Sequence, residues 1–169
     1  SPELVFTAVE GDGLALAYAS DELRNSPDIV KEAIDQNPHA LQHASEELRA
    51  DLGIVCPALR ADGSTLRYAS AKAKADRDVV LDAVANYGMA LTWASPACRG
   101  DLEVVQKAVA HCGTALAYAS EEMQDDDRVV RVAARQDAMA LEYASWTLRN
   151  DRELVLDIVA RDGRGLRWA

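Results

Sequence analysis

No apolar run in this sequence approaches the roughly 18 to 20 residues that a membrane-spanning helix needs, so the chain reads as soluble. Cysteines number three, an odd count with no paired spacing, which argues against a disulfide framework. Basic charge is short: 18 Lys and Arg stand against 28 Asp and Glu, giving a net charge of −10. A surface for phosphate contact needs the opposite balance, so nucleic acid is not an expected partner. No period-2 run or hairpin turn predicts a strand. No C-x-x-C, H-E-x-x-H, phosphate-binding loop or nucleophile elbow occurs. No cofactor or metal is therefore expected, and no catalytic residue is assigned. Disorder is equally disfavoured, because apolar residues make up 49% of the chain and are evenly spread.

What is present is a repeat. Cut every 25 residues, the chain forms seven ungapped rows: 1–25, 26–50, 51–75, 76–100, 101–125, 126–150 and 151–169. Column 5 is valine in all seven rows, from Val5 to Val155, and column 16 is leucine, from Leu16 to Leu166. Column 19 is alanine throughout, and column 20 is serine in the six rows that reach it. A fixed period in this range marks a solenoid, propeller or array, because a single unit cannot bury its own apolar face.

Each row predicts two short helices and a capped turn. Column 1 is Ser or Asp (Ser1, Ser26, Asp51, Asp76, Asp101, Asp126, Asp151), a set of N-caps, with Pro2 and Pro27 following at the first helical position. Apolar columns 4, 5, 8 and 9 form one helical face. Glycine at column 13 in five rows predicts a left-handed helix stop. A second helix is expected over columns 14 to 19, and Ser20 and its equivalents should cap a further turn of the E-E-L-R type. Row 3 is irregular: Pro57 at column 7 predicts a distorted or shortened helix between Asp51 and Ala61. The fold class that follows is all-α: a right-handed α-solenoid of seven units, residues 1–169 forming a single array. Row 1 carries no polar outer face and row 7 stops within a unit, so the array reads as a segment of a longer or partner-docked chain. No signal or transit segment is visible, and a removed one would leave no trace, so localisation is unassigned.

Candidate chemistry is thin. His111-Cys112 lies at a helix end, and its ordinary reading is a surface histidine beside a small apolar thiol. Asp125-Asp126-Asp127 could attract calcium but lacks the spacing of a calcium loop and reads as a solvated turn. By row the net charges are −4, −3, +2, −1, −4, 0 and 0, so only row 3 is basic, through Arg60, Arg67, Lys72 and Lys74.

Residues that break the repeat are better pointers. Column 18 holds Tyr18, His43, Tyr68, Trp93, Tyr118, Tyr143 and Trp168, either a packing ladder or a stripe for a partner. Trp146 stands at column 21, where other rows have Asp, Glu, Ala or Pro; Tyr87 is at column 12 and Phe6 at column 6. Met89 and Met139 occupy column 14, which should point outward. A large apolar residue where sibling rows are polar marks a contact surface. Trp146, Phe6, Tyr87, Met89, Met139, Tyr68, Trp93 and Arg67 are thus the candidate partner-binding residues.

The strings ALAYASDELRN, ALQHASEELRA and ALEYASWTLRN-D resemble the helical repeat family catalogued as domain of unknown function four-one-one-six, seven times over the whole chain. The leucine-rich-variant repeat is a weaker resemblance. Rows 3 and 4 depart from the family's E-E-L-R segment at Ala71 to Lys74 and Pro96 to Arg99. The resemblance implies a helical scaffold with no established activity and no catalytic residues to carry over. The expected function is a non-catalytic scaffold for protein partners, such as a structural or linker subunit of a large assembly. The alternative is the interaction arm of a multi-domain secreted effector; an enzyme or nucleic-acid binder is a distant third.

Overall fold

The computed structural model describes residues 2–168, all in helices and turns with no strand among them. Ser1, expected as a cap, and Ala169 lie outside the described residues. Two compact units emerge, one up to Asn86 and one from Tyr87.

Every row begins with a helix of ten residues: Pro2–Gly11, Pro27–Gln36, Leu52–Ala61, Arg77–Asn86, Leu102–His111, Asp127–Gln136 and Arg152–Arg161. The column-1 aspartates cap them as expected. Asp126 accepts from the amides of Arg128 and Val129, Asp76 and Asp151 from the equivalent two, Asp51 from Gly53 and Asp101 from Val104. Ser26 makes no side-chain cap bond. Columns 4, 5, 8 and 9 supply the buried face, as Ile29, Val30, Ala33 and Ile34 do in row 2.

The second helix is not the expected α-helix. It is a six-residue 3-10 helix over columns 13 to 18, running for example Gly13–Tyr18, Gly88–Trp93 and Gly113–Tyr118. Three residues per turn align columns 13, 16 and 19 on one edge, and in row 5 these are Gly113, Leu116 and Ala119, all buried. Such helices rarely run this long; here both ends are tied. The column-12 side chain accepts from column 14 (Asp12 from Leu14 at 2.9 Å, Asp137 from Met139 at 3.0 Å), and the column-19 amide closes on column 16 (Ala119 on Leu116 at 3.1 Å). A third, short helix follows. Its Ser cap accepts from column 23 in most rows, as Ser145 does from Leu148 at 3.2 Å, but Ser20 makes no such bond.

The column-13 glycines correct a second expectation. No described residue has a positive φ, so these glycines do not end helices in the left-handed region. They are needed because the next row comes too close for a side chain. A Cβ on Gly13 would stand 2.2 Å from the Ala33 carbonyl oxygen; on Gly88, 2.4 Å from that of Ala108; on Gly113, 2.4 Å from that of Ala133. Each glycine amide also donates to column 11 of the next row: Gly13 to Gln36 at 2.8 Å, Gly88 to His111 at 3.2 Å, Gly113 to Gln136 at 2.7 Å. Where column 13 carries a side chain, Pro38 and Ala138, the 3-10 helix packs less closely on the first helix of the next row. A backbone bond adds a further tie between rows, from the Ser45 amide to the Arg24 carbonyl at 3.0 Å and from Ser120 to Arg99 at 2.9 Å.

Pro57 does not shorten its helix: Leu52–Ala61 is as long as the others. Proline removes only the amide that would bond Gly53. Asp51 and the Asp62 amide hold the two ends, and fully buried Val55, Ala58 and Leu59 anchor the middle. The irregularity is displaced onto the neighbour. Rows 2 and 3 leave a cavity of about 180 Å³ lined by Lys31, Ile34, Asp35, Gly53, Ile54 and Pro57.

Two substitutions test this packing. Gly113→Ala should cost about 1–3 kcal/mol through overpacking against backbone, while Gly163→Ala, with no atom within 4 Å of its Cβ position, should leave stability unchanged or slightly raised. Leu91→Ala, at a fully buried site, should cost about 2–5 kcal/mol, and Leu166→Ala, 64% exposed, no more than about 0.5 kcal/mol. Urea melts of the four variants give all of these values.

Candidate functional site

Trp146 opens the short helix Trp146–Arg149, and its side chain is 71% exposed. Its position is fixed from both sides. The hydroxyls of Ser145 and Thr147 donate to the same carboxylate oxygen, Oδ1 of Asp125, in the preceding row. Those bonds hold the Asp125 carboxyl below the usual carboxylate range. Asn150 Nδ2 donates to the Trp146 carbonyl at 2.8 Å, closing the helix behind it. The result is an exposed indole on a backbone held at both flanks.

Tyr87 and Trp93 come together as a stacked pair, ring centroids 6.2 Å apart and planes 18° apart. Tyr87 takes the place of an Asp or Asn cap and makes no cap bond, so its ring is released to lie on Trp93. Met89 lies in the same 3-10 helix and is half-buried, as is Met139.

Tyr68 is gripped by its surroundings. His39 meets its ring edge-on at 5.9 Å, the Arg67 guanidinium lies over it at 5.1 Å, and Arg49 reaches its carbonyl. His39 also binds Asp62 through Nε2 at 3.0 Å, a link between rows 2 and 3. The row-3 basic cluster is partly engaged within the fold: Arg60 pairs with Asp82 at 3.1 Å, and Lys74 Nζ donates to the Arg67 carbonyl at 2.8 Å. Burial, then repulsion from Arg49, pushes the Lys74 ammonium below its usual range. Phe6 borders a shallow groove with Pro2, Glu3, Ser26, Asp28 and Ile29. Phe6, Arg67 and Tyr68 belong to one unit, and Tyr87, Met89, Trp93, Met139 and Trp146 to the other.

The chemically suggestive clusters have structural partners. His111 Nδ1 accepts from the Gly88 amide, and Cys112 Sγ lies 3.3 Å from Thr114 Oγ1. Asp126 pairs with Arg128 at 2.6 Å and Asp127 with Arg131 at 2.9 Å. Among the described residues no group of three or more His, Cys, Asp or Glu could hold a metal, and no helix is long and apolar enough to cross a membrane.

Column 24 is the feature that the sequence reading passed over. It reads Arg, Arg, Lys, Arg, Gln, Arg, and in rows 2, 3 and 5 its side chain reaches a carbonyl of the 3-10 helix. Gln124 Nε2 donates to Leu116 at 3.1 Å, Lys74 to Arg67, and Arg49 to Tyr68. The Nε atoms of Arg24, Arg49, Arg99 and Arg149 are buried with no protein partner. The six-row run of long polar donors was the available signal.

Helix, 3-10 helix and capped turn, repeated in register, define a tandem helical-repeat protein. The chain belongs to the family described as Domain of unknown function (DUF4116), whose family model matches residues 1–49, 51–99 and 101–149. Each match spans two rows, so the family model counts three copies, and seven rows is a count made on the sequence. No curated protein and no solved structure matches the chain.

The Asp126 cap yields a pH test. Its carboxyl is held below the usual range by the Arg128 guanidinium first, which outweighs the opposing effect of burial, with the Arg128 and Val129 amides adding to it. A depressed native pKa stabilises the fold above the unfolded-state value of about 4 and loses that contribution as pH falls through the native value. Asp126→Ala should therefore cost about 1 kcal/mol at neutral pH. In urea melts the gap from the parent should close as pH is lowered from about 5 toward 2.

Proposed function

We propose that this chain is a non-catalytic scaffold, a right-handed α-solenoid whose rows present an extended surface to protein partners as a structural or linker subunit of a larger assembly. The observation that carries this reading is Trp146. Its siblings at column 21 are Asp21, Glu46, Ala71, Pro96 and Glu121, and it alone puts a large apolar ring 71% into solvent. Tryptophan is the side chain most enriched at the energetic centres of interfaces. Here the Ser145, Thr147 and Asp125 bonds fix its backbone, so docking orders little that is not already ordered. Further support comes from the division of labour between columns. The invariant serine and leucine columns cap and pack, whereas column 21 changes from row to row and is exposed in each.

A photo-crosslinking side chain placed at position 146, and separately at 121, tests the reading in native extract. A protein crosslink is expected at 146 and not at 121. Trp146→Ser should lower capture of that protein at least about tenfold while leaving the melting midpoint nearly unchanged. No crosslink at 146, or equal crosslinking at both positions, removes the basis of the proposal.

A further inference from the structure

The short helices of rows 5 and 6, both within the unit from Tyr87 onward, concentrate departures from the repeat. Column 24 is Arg or Lys in the other five rows that reach it, but row 5 carries Gln124. Column 25 is Asn, Ala or Gly elsewhere and Asp125 here; column 22 is Thr only at Thr147, and column 21 is aromatic only at Trp146. These changes meet in space. Ser145 and Thr147, on either side of Trp146, both donate to Oδ1 of Asp125, and no described residue bonds its Oδ2. The Ser145 amide also donates to the Gln124 carbonyl at 3.0 Å, tying the start of one short helix to the end of the other. Column 21 is exposed in rows flanked on both sides as well, so its exposure belongs to the column.

The same place lacks positive charge. No Lys or Arg lies between Lys107 and Arg128, and Glu121, Glu122 and Asp125 are all exposed. In rows 1 and 2 the column-21 acid pairs with the column-24 arginine, Asp21 with Arg24 and Glu46 with Arg49. Gln124 denies Glu121 that partner. Asp126 and Asp127 face Arg128 and Arg131, whereas among the described residues Glu121, Glu122 and Asp125 pair with no base. Arg149 has its Nε buried and pairs with none of the three. We propose that this surface receives a basic segment of a partner protein, with an arginine or lysine side chain laid on the Trp146 ring and its charge answered by Asp125, Glu121 and Glu122. The inference deepens the scaffold reading above and rests on Trp146 as its contact residue. Tryptophan offers a cation the best of the aromatic faces, and a guanidinium stacked on it keeps its edge donors for carboxylates. Opposite charge across an interface speeds encounter and rejects acidic partners. Row 3 of a second copy is a poor source of the cation, because Arg60 is engaged by Asp82 and Lys74 by the Arg67 carbonyl.

Fluorescence anisotropy of labelled octa-arginine with the 169-residue chain at low salt tests the chemistry. Trp146→Ser, which leaves the net charge at −10, should weaken binding about fivefold. Asp125→Asn should weaken it about threefold, and Glu22→Gln, which removes the same charge from row 1, less than about 1.5-fold. Asparagine suits column 25, since Asn25 Oδ1 accepts from the Ser45 hydroxyl at 2.5 Å, so Asp125→Asn should melt close to the parent. The crosslink from position 146 identifies the segment: a stretch of net positive charge is expected, captured less as salt is added. Octa-arginine binding that Trp146→Ser leaves unchanged overturns the proposal. A crosslink to a neutral or acidic segment, or to a second copy of this chain, overturns it too. In those two cases position 146 still captures a protein and the scaffold reading stands, whereas the absence of any crosslink at 146 removes both.

Discussion

A carbonyl oxygen resting on the α-carbon of a glycine sets the spacing of this protein. At Gly13, Gly88 and Gly113 the first helix of the following row approaches until no Cβ fits, and the glycine amide is taken by a side chain of that same helix. The approach works because the preceding segment is a 3-10 helix. Its three-residue turn lines up glycine, leucine and alanine on one edge, so that the large side chain fills the space between rows while the two small residues let backbones meet. Without that alignment column 16 would not be leucine in every row, nor column 19 alanine. The junctions at Pro38 and Ala138 show the other side of the rule: a side chain at column 13 holds the next helix away, and a cavity opens beside Pro57.

The same architecture accounts for the acidic composition. Each row has two helix starts that need a side-chain acceptor, one before the first helix and one before the 3-10 helix. Asp fills most of them: Asp51, Asp76, Asp101, Asp126 and Asp151 at the first, and Asp12, Asp62, Asp137 and Asp162 at the second. Carboxylates in these positions answer unsatisfied amides and the positive end of a helix. At the opposite ends, Arg49, Lys74 and Gln124 answer free carbonyls. Much of the charge that invites a reading in terms of ligands is therefore folding chemistry, and Asp126 and Asp127 each face an arginine of their own row.

The sequence made the repeat, the column-1 caps and the buried columns legible because each depends on local spacing alone. Three readings went astray, one because the segment is short and two because the cause lies in a neighbouring row. Six residues cannot separate a period of 3.0 from one of 3.6, so the 3-10 helix read as an α-helix. Glycine at column 13 fits a helix stop equally well until the Ala33 or Ala133 carbonyl is placed against it. The helix that holds Pro57 keeps its full ten residues, and a cavity lies between it and row 2. The candidate contact residues were legible only by contrast between rows. That contrast singles out Trp146, Tyr87 and Phe6, but it cannot foresee that Tyr87 lies on Trp93, that Met89 and Met139 are half covered, or that Lys74 turns back onto the Arg67 carbonyl.

The family's matches run two rows at a time, and the structure supplies a reason for that longer period. Odd rows carry glycine at column 13 without exception: Gly13, Gly63, Gly113 and Gly163. Even rows carry an amide at column 11, Gln36, Asn86 and Gln136, and two of these accept the glycine amide of the row before. Passing from an odd row to an even one, the first helices pack closely in every case. Passing from even to odd, column 13 is Pro38, Gly88 or Ala138, and the column-11 partner changes to Ala61, His111 or Arg161. Three matches of 1–49, 51–99 and 101–149 therefore each enclose one glycine-and-amide junction and leave the variable junctions at their borders. A unit defined this way is held by its own close contact, and it is joined to the next through a column-13 position that varies from Pro38 to Gly88 to Ala138.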